Sequence, residues 1–274
     1  MPNKLHIQQR FNQKASTYDQ HAIVQKQMAD QLLQSFQSKY LPSRVLEIGC
    51  GTGYLTKKMV TYPRLLTHYT ALDLADKMLM RTEQAIRDHH DQFTLPASLQ
   101  LVCADIEDWA HTVTDSSYDL ILSNACFQWL LYPQKTLSQL HRILQSEGHL
   151  LFSTFGPLTF HELQESYNAT YTSMGEKAQS HVLTFHSSTE WASFLEHAGF
   201  QNIEVQTYSI TLYYSTVIDF LRSIKEIGAT VPPPSHGLGD RRLLIPMMNY
   251  YQDTFQQDQG IPATYEVLLI TAQC

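Results

Sequence analysis

Val45-Leu46-Glu47-Ile48-Gly49-Cys50-Gly51-Thr52-Gly53 is the stretch that decides how the rest of the chain is read. Val45, Leu46 and Ile48 make a short apolar strand, and three glycines then fall within five residues. Elsewhere the chain avoids glycine: it has 11 in 274 residues, about 4% against a usual ~7%. Such crowding marks a backbone that must turn tightly and approach a ligand closely. A helix from about Tyr54 to Val60 follows, so the loop presents backbone amides at a helix N-terminus.

Outward from this loop, strands alternate with helices. Arg44–Ile48, Leu65–Leu72, Leu99–Cys103, Tyr118–Ser123 and His149–Thr154 read as strands, with helices across Ala75–His90 and Pro133–Leu144. The alternation predicts right-handed βαβ units and an α/β fold whose parallel sheet is covered on both faces. Upstream, Ile23, Val24, Met28, Leu32, Leu33, Phe36 and Tyr40 recur at helical spacing until Pro42. Downstream, residues 157–185 read as helix and then loop, and Ser188–Ala198 is a helix closed by Gly199. Ile203–Ile210 and Tyr265–Thr271 read as the last strands. The excursion between them is too long for a hairpin. It holds helices over Thr216–Ile227 and Arg241–Phe255 around Val231-Pro232-Pro233-Pro234, and is read as an inserted cap.

Several functions drop out. No apolar run approaches the ~18 residues of a membrane span, and the first ten residues carry no apolar signal core. Cys50, Cys103, Cys126 and Cys274 have no metal-finger spacing, so no metal and a reducing cytoplasm are expected. A formal net charge of −7 opposes nonspecific nucleic-acid binding.

Glu47 narrows the ligand. A dinucleotide fingerprint wants glycine where Tyr54 stands, and a carboxylate facing a pyrophosphate would repel it. A carboxylate facing an ammonium is favourable. The loop therefore suits S-adenosylmethionine, whose product is S-adenosylhomocysteine, and opposes an NAD-dependent oxidoreductase. Further polar groups fall at successive strand ends, where ligands bind in such sheets. Asp73, next to Leu74, can take ribose hydroxyls, Asp105 and Ile106 can meet adenine, and Asn124 falls near the sulfonium.

The spacing Glu47-x-Gly49-x-Gly51-x-Gly53, Asp73, Asp105 resembles the class I S-adenosylmethionine-dependent methyltransferases. That resemblance implies a Rossmann-like, seven-stranded, mostly parallel sheet with an antiparallel last strand. Arg10-Phe11-Asn12, Ala15 to Ala22, Ser123 to Trp129, Phe152 to Pro157 and Leu221 to Ala229 are similar to the malonyl-[acyl-carrier protein] O-methyltransferases of biotin synthesis. Glu147-Gly148-His149 departs from the two adjacent glycines common there. One domain over 1–274 is expected: a helical lid at 1–41, a cofactor-binding half at 42–156, and substrate-side cap segments at 157–187 and 211–262.

The implied reaction methylates the free carboxylate of a malonyl thioester, on an acyl-carrier protein or coenzyme A. Such a carboxylate has a pKa of about 3–4, so it is already a nucleophile and no acid–base residue is expected. Tyr18, His21, Gln128, Trp129, Phe155 and Arg222 are the candidates for positioning substrate. No Asn-Pro-Pro-Tyr follows the fourth strand, which disfavours methylation of adenine or glutamine amino groups. Quinones and free carboxylic acids stay open as alternative substrates. A carrier protein is acidic, so a basic face is expected, at Lys4, Arg10 and Lys14 or at Lys225, Arg241 and Arg242.

Overall fold

The fold is read from a computed structural model that describes residues 3–36, 42–61, 66–88, 95–228 and 241–274. The strands are β1 (Arg44–Ile48), β2 (His68–Asp73), β3 (Ser98–Cys103), β4 (Tyr118–Asn124), β5 (Leu144–Phe155), β6 (Gln201–Tyr214) and β7 (Ile261–Gln273). They form one seven-stranded sheet in the order β3-β2-β1-β4-β5-β7-β6. β1 to β5 pair in parallel. β7 slots between β5 and β6, antiparallel to both. Chain order reverses at β1, so the crevice beyond the ends of β1 and β4 is the topological switch point where such sheets bind ligands.

The helices are α1 (Lys4–Lys14), α2 (Tyr18–His21), α3 (Ile23–Phe36), α4 (Tyr54–Val60), α5 (Asp76–Arg87), α6 (Ile106–Trp109), α7 (Pro133–Ile143), α8 (His161–Met174), α9 (Ser188–Ala198), α10 (Val217–Glu226) and α11 (Arg241–Phe255). Alternate residues of each central strand feed opposite cores, as the pleat requires. Leu46, Ile48, Ile121 and Phe152 face Leu137, Leu140, Trp191 and Leu195 of α7 and α9. Val45, Leu120, Leu122 and Leu151 face Leu32, Leu55, Met59 and Leu79 of α3, α4 and α5. A third core lies under the cap, where Val217, Phe220 and Ile224 of α10 and Met247 and Tyr251 of α11 pack with Phe155, Phe160, Tyr167 and Val267.

Local chemistry explains the best-read boundaries. Ser187 and Glu190 form a reciprocal capping box at the start of α9. Its end is Gly199 at φ +100, where an added Cβ would stand 3.1 Å from the His141 ring. Gly199→Ala is therefore expected to cost about 1–2 kcal/mol, read as a lower midpoint in urea unfolding with an unchanged slope. An unchanged midpoint would mean the cap is not strained.

Other boundaries differ from the sequence reading. α3 starts at Ile23, where the N-terminal helical spacing begins, but two further helices, Lys4–Lys14 and Tyr18–His21, precede it, with Ala22 as the break before α3. Its predicted end at Tyr40 lies outside the described residues. β2 starts at His68, and Leu65, His90 and Val231-Pro232-Pro233-Pro234 lie outside the described residues. β6 and β7 run past their expected ends because they sustain each other in one long antiparallel pairing, from Glu204↔Thr271 to Tyr214↔Ile261. β5 also starts early, at Leu144 beside Tyr118, with a register shift before His149. α10 and α11 do follow β6 and precede β7, as the excursion was read.

Candidate active site

The glycine loop is held by the sheet it leaves. Gly49 and Cys50 both donate their N–H groups to the Leu72 carbonyl, at 2.7 and 3.0 Å. Gly49, Gly51 and Gly53 have φ of +72, +58 and +85, the left-handed region where only glycine is at ease. A Cβ on Gly49 would meet Cys126 Sγ at 2.5 Å, whereas one on Gly51 would meet nothing within 4 Å. Gly49 thus lets the β1 and β4 loops touch, and Gly51 leaves open space above the turn.

Two connected lobes open there. One, about 700 Å³ and open to solvent, is lined by Gly51, Asp73, Leu74, Asp105, Ile106 and Trp129 among others. The second, about 400 Å³, reaches Glu47, Thr52 and Tyr54. Tyr18, Gly49, Gly51 and Asn124 belong to both, so the two are halves of one cleft.

Asp73 is buried at the end of β2. Its Oδ2 accepts from the Gly51 amide and its Oδ1 from the Ala75 amide, both at 2.8 Å. Burial pushes its pKa up to about 6, against the pull of those amides. Glu47 is 1% exposed. Its Oε2 accepts from Thr56 Oγ1 at 2.5 Å and Tyr69 Oη at 2.7 Å. Burial pushes it up to about 7 in spite of both hydroxyls. No cation pairs with either carboxylate among the described residues. Two such groups, buried beside open space, suit a ligand that brings hydroxyls and a positive charge.

Asp105 caps α6, accepting from the Glu107 amide at 3.1 Å, and also takes Lys4 Nζ at 3.1 Å. Ile106 is buried in the cleft wall. Asn124 ends β4, where it donates to the Gln25 carbonyl at 2.9 Å and accepts from Ser153 Oγ at 2.6 Å. Cys126 lies beneath the loop with its thiol pushed up to about 12 by burial and by Asp73, so it stays protonated. Burial and the neighbouring Asp73 and Asp19 also raise the Tyr18 phenol.

The substrate-side candidates separate. Tyr18 and Trp129 reach the cleft. Gln128 is used internally, donating to the Ala125 carbonyl at 2.7 Å and accepting from Thr154 Oγ1 at 3.1 Å. Phe155 packs in the cap core against Phe185 and Tyr265. His21 stands on α2, close enough to Glu226 to help hold that carboxyl low. Arg222 is 73% exposed and faces Asp219 at 3.5 Å, away from the cleft. Of the basic-face candidates, Lys4 is ion-paired to Asp105 and Glu107 and Lys14 to Glu226.

The sequence reading expects a helical lid over 1–41 but names neither the helix α1 nor its residues as part of the cleft wall. Lys4, Ile7 and Phe11 line it, and Phe11 meets Trp129 edge-on at 5.7 Å. Asn3, whose side chain accepts from the Leu5 amide, followed by Ile7 and Phe11 four apart, was the available signal.

This sheet order, with a carboxylate-rich cleft at the switch point and a positive-φ glycine loop, defines a class I S-adenosylmethionine-dependent methyltransferase. A family model described as a methyltransferase domain matches residues 20–205. The YcgJ protein of Bacillus subtilis shares the fold with a TM-score of 0.60 at 14% identity, over 89% of this chain and 97% of its own. A malonyl-[acyl-carrier protein] O-methyltransferase of Brevibacillus brevis is 40% identical, covering 97% of this chain and 95% of its own. Another, from Paenibacillus sp. strain JDR-2, is 40% identical and covers 98% of each. The chain belongs to the malonyl-[acyl-carrier protein] O-methyltransferases.

Proposed function

We propose that this enzyme methylates the free carboxylate of malonyl-[acyl-carrier protein], giving the methyl ester that opens pimelate formation in biotin synthesis. The observation that carries the reading is the pair of buried carboxylates, Glu47 and Asp73, beside open space with no cation among the described residues to offset them. When bound, S-adenosylmethionine supplies an electrophilic methyl group on a sulfonium.

Asp73 would hold the ribose hydroxyls and Glu47 the ammonium, with Gly49, Gly51 and Gly53 giving the backbone its close approach. Leu74, Asp105 and Ile106 would hold the adenine side, and Asn124 would stand by the sulfonium. Tyr18 and Trp129 wall the reacting end and exclude water. Gln128 acts behind them, clamping the β4 loop to β5 through Ala125 and Thr154. Phe155 shapes the cap under which the thioester arm would lie; His21 lies beside Glu226, and Arg222 faces outward on α10. The substrate arrives ionised, so no group in the cleft has to accept a proton; the work is placement.

Residues 1–41 serve as lid, 42–156 as cofactor half, and 157–187 with 211–262 as cap. Lys225, Arg241 and Arg242 are exposed on α10 and α11, and the cap is where an acidic carrier protein would dock. A cytoplasmic location fits the four free cysteines; no described helix is long and apolar enough to cross a membrane.

The test supplies a labelled methyl donor with malonyl-carrier protein, malonyl-CoA, malonyl-pantetheine, a quinol and a free fatty acid. Base-labile label on the malonyl thioesters is expected. Carrier protein should be preferred, and its KM alone should rise with salt. Label found solely in the quinol or the free acid would overturn the reading.

A further inference from the structure

Glu107 lies outside every role assigned so far, and it joins three separate parts of the molecule. Its side chain is 10% exposed. Lys4 Nζ of α1 stands 2.5 Å from Oε2. The Leu131 and Tyr132 amides donate to it at 3.0 and 2.6 Å. Thr136 Oγ1, in the first turn of α7, stands 3.3 Å away. One carboxylate therefore holds the helix that roofs the cleft and the loop that carries Gln128 and Trp129.

The roof and the loop also meet directly, through Phe11 against Trp129. Lys4 reaches past Glu107 to Asp105, on the adenine side of the cleft. α1 is thus fastened at its N-terminal end to the cofactor side, and along its length to the substrate side. Gln8, which donates to the Leu74 carbonyl at 2.9 Å, adds a third attachment at the end of β2. α1 lines the cleft through Lys4, Ile7 and Phe11, so a nucleoside-sized ligand passes more freely when that helix lifts. When it does, Glu107 loses its only ion-pair partner among the described residues, and the loop amides are left sharing an uncompensated carboxylate.

We infer that Glu107 is a positioning residue, with Lys4 as its latch, that makes closure of α1 over the cleft and placement of the Gln128–Trp129 loop a single event. The enzyme then presents its substrate-side wall in working position only when the cofactor side is covered. The inference rests on the cofactor reading above.

The probe is S-adenosylhomocysteine, so no turnover is involved. Its dissociation is followed by stopped flow, and hydrogen exchange is followed in residues 3–14 and 127–132. Wild type is compared with Lys4→Met, Lys4→Arg, Glu107→Gln and the double variant Lys4→Met/Glu107→Gln. Lys4→Met should speed dissociation at least tenfold and raise exchange in both segments, though it touches only the first. Lys4→Arg should restore both. The double variant should dissociate no faster than Glu107→Gln, since members of one linked unit are not additive. Faster exchange in 3–14 alone, or effects that multiply in the double variant, would overturn the coupling. A wild type that does not bind the probe would instead sink the cofactor reading. Lys4→Met also frees Asp105 from its ion pair, so exchange in 127–132 rather than the dissociation rate carries the coupling, and it does so even if Glu107→Gln fails to fold.

Discussion

Replacing Asp73 with alanine is expected to weaken S-adenosylhomocysteine binding by at least ~100-fold, close to 3 kcal/mol at 1.4 kcal/mol per tenfold. Two losses combine. The ligand loses its hydroxyl acceptor, and the apo site loses the group that ties the glycine loop to the turn after β2. One oxygen of Asp73 holds the Gly51 amide and the other the Ala75 amide. Hydrogen bonds to a charged partner contribute about 1.5–3 kcal/mol each, and stranding the amides adds to the loss. Asp73→Asn keeps one acceptor and turns an NH₂ toward the other amide, so its affinity should fall between wild type and Asp73→Ala. Titration calorimetry measures the affinity, and a thermal melt separates loss of site from loss of fold. Wild-type affinity in a folded Asp73→Ala enzyme would remove Asp73 from the cofactor site.

How much of this was legible depends on whether a signal was local. β1 and its loop were readable because an apolar strand and three crowded glycines each have a local cause. α9 was readable for the same reason, with its cap box at one end and Gly199 at the other. α1 was not: Ile7 is its one buried residue, and what holds the helix is distant, namely Asp105, Glu107, Leu74 and Asp76. α6 has four residues and depends on the Asp105 cap, too little for a periodic pattern. β6 was underestimated because it is an edge strand with half its residues outward, and its length comes from β7.

The candidate site divides along the same line. Strand-end carboxylates were legible because the parallel sheet puts every strand end on one rim. The direction of a side chain just past a strand was not, which is why Gln128 and Phe155 point into packing. Arg222 was legible in principle. Val217, Phe220 and Ile224 fix the inward side of α10, and Arg222 lies about 200° around the helix from Phe220 at 100° per residue. Helical phase alone therefore turns it outward, as the structure has it.

Affinity for S-adenosylhomocysteine is expected to climb about 500-fold between pH 5 and 7, steepest below pH 6 where both carboxyls titrate, and to level off by about pH 8. Glu47 and Asp73 are pushed by burial to about 7 and about 6, from ordinary values of 4.5 and 3.8. In the ligand-free enzyme they therefore bind protons that the unfolded chain has already released. Between about pH 4 and 7 the folded state holds more protons, so the stability of the free enzyme should fall as pH rises through that window. Ligand binding reverses the sign. An ammonium beside Glu47 favours the carboxylate, so binding below pH 7 must first expel a proton, which costs about tenfold in affinity per pH unit. Glu47→Gln keeps a carbonyl for Thr56 and Tyr69 but cannot titrate. It should lower the plateau and remove the upper limb of the profile, leaving only the limb set by Asp73. The pH dependence of melting should shrink in the same variant. Calorimetric affinities from pH 5 to 8 decide the matter: a flat wild-type profile would mean that neither carboxylate meets the ligand's charge. A profile still rising between pH 6 and 7 in Glu47→Gln would assign that limb to another group.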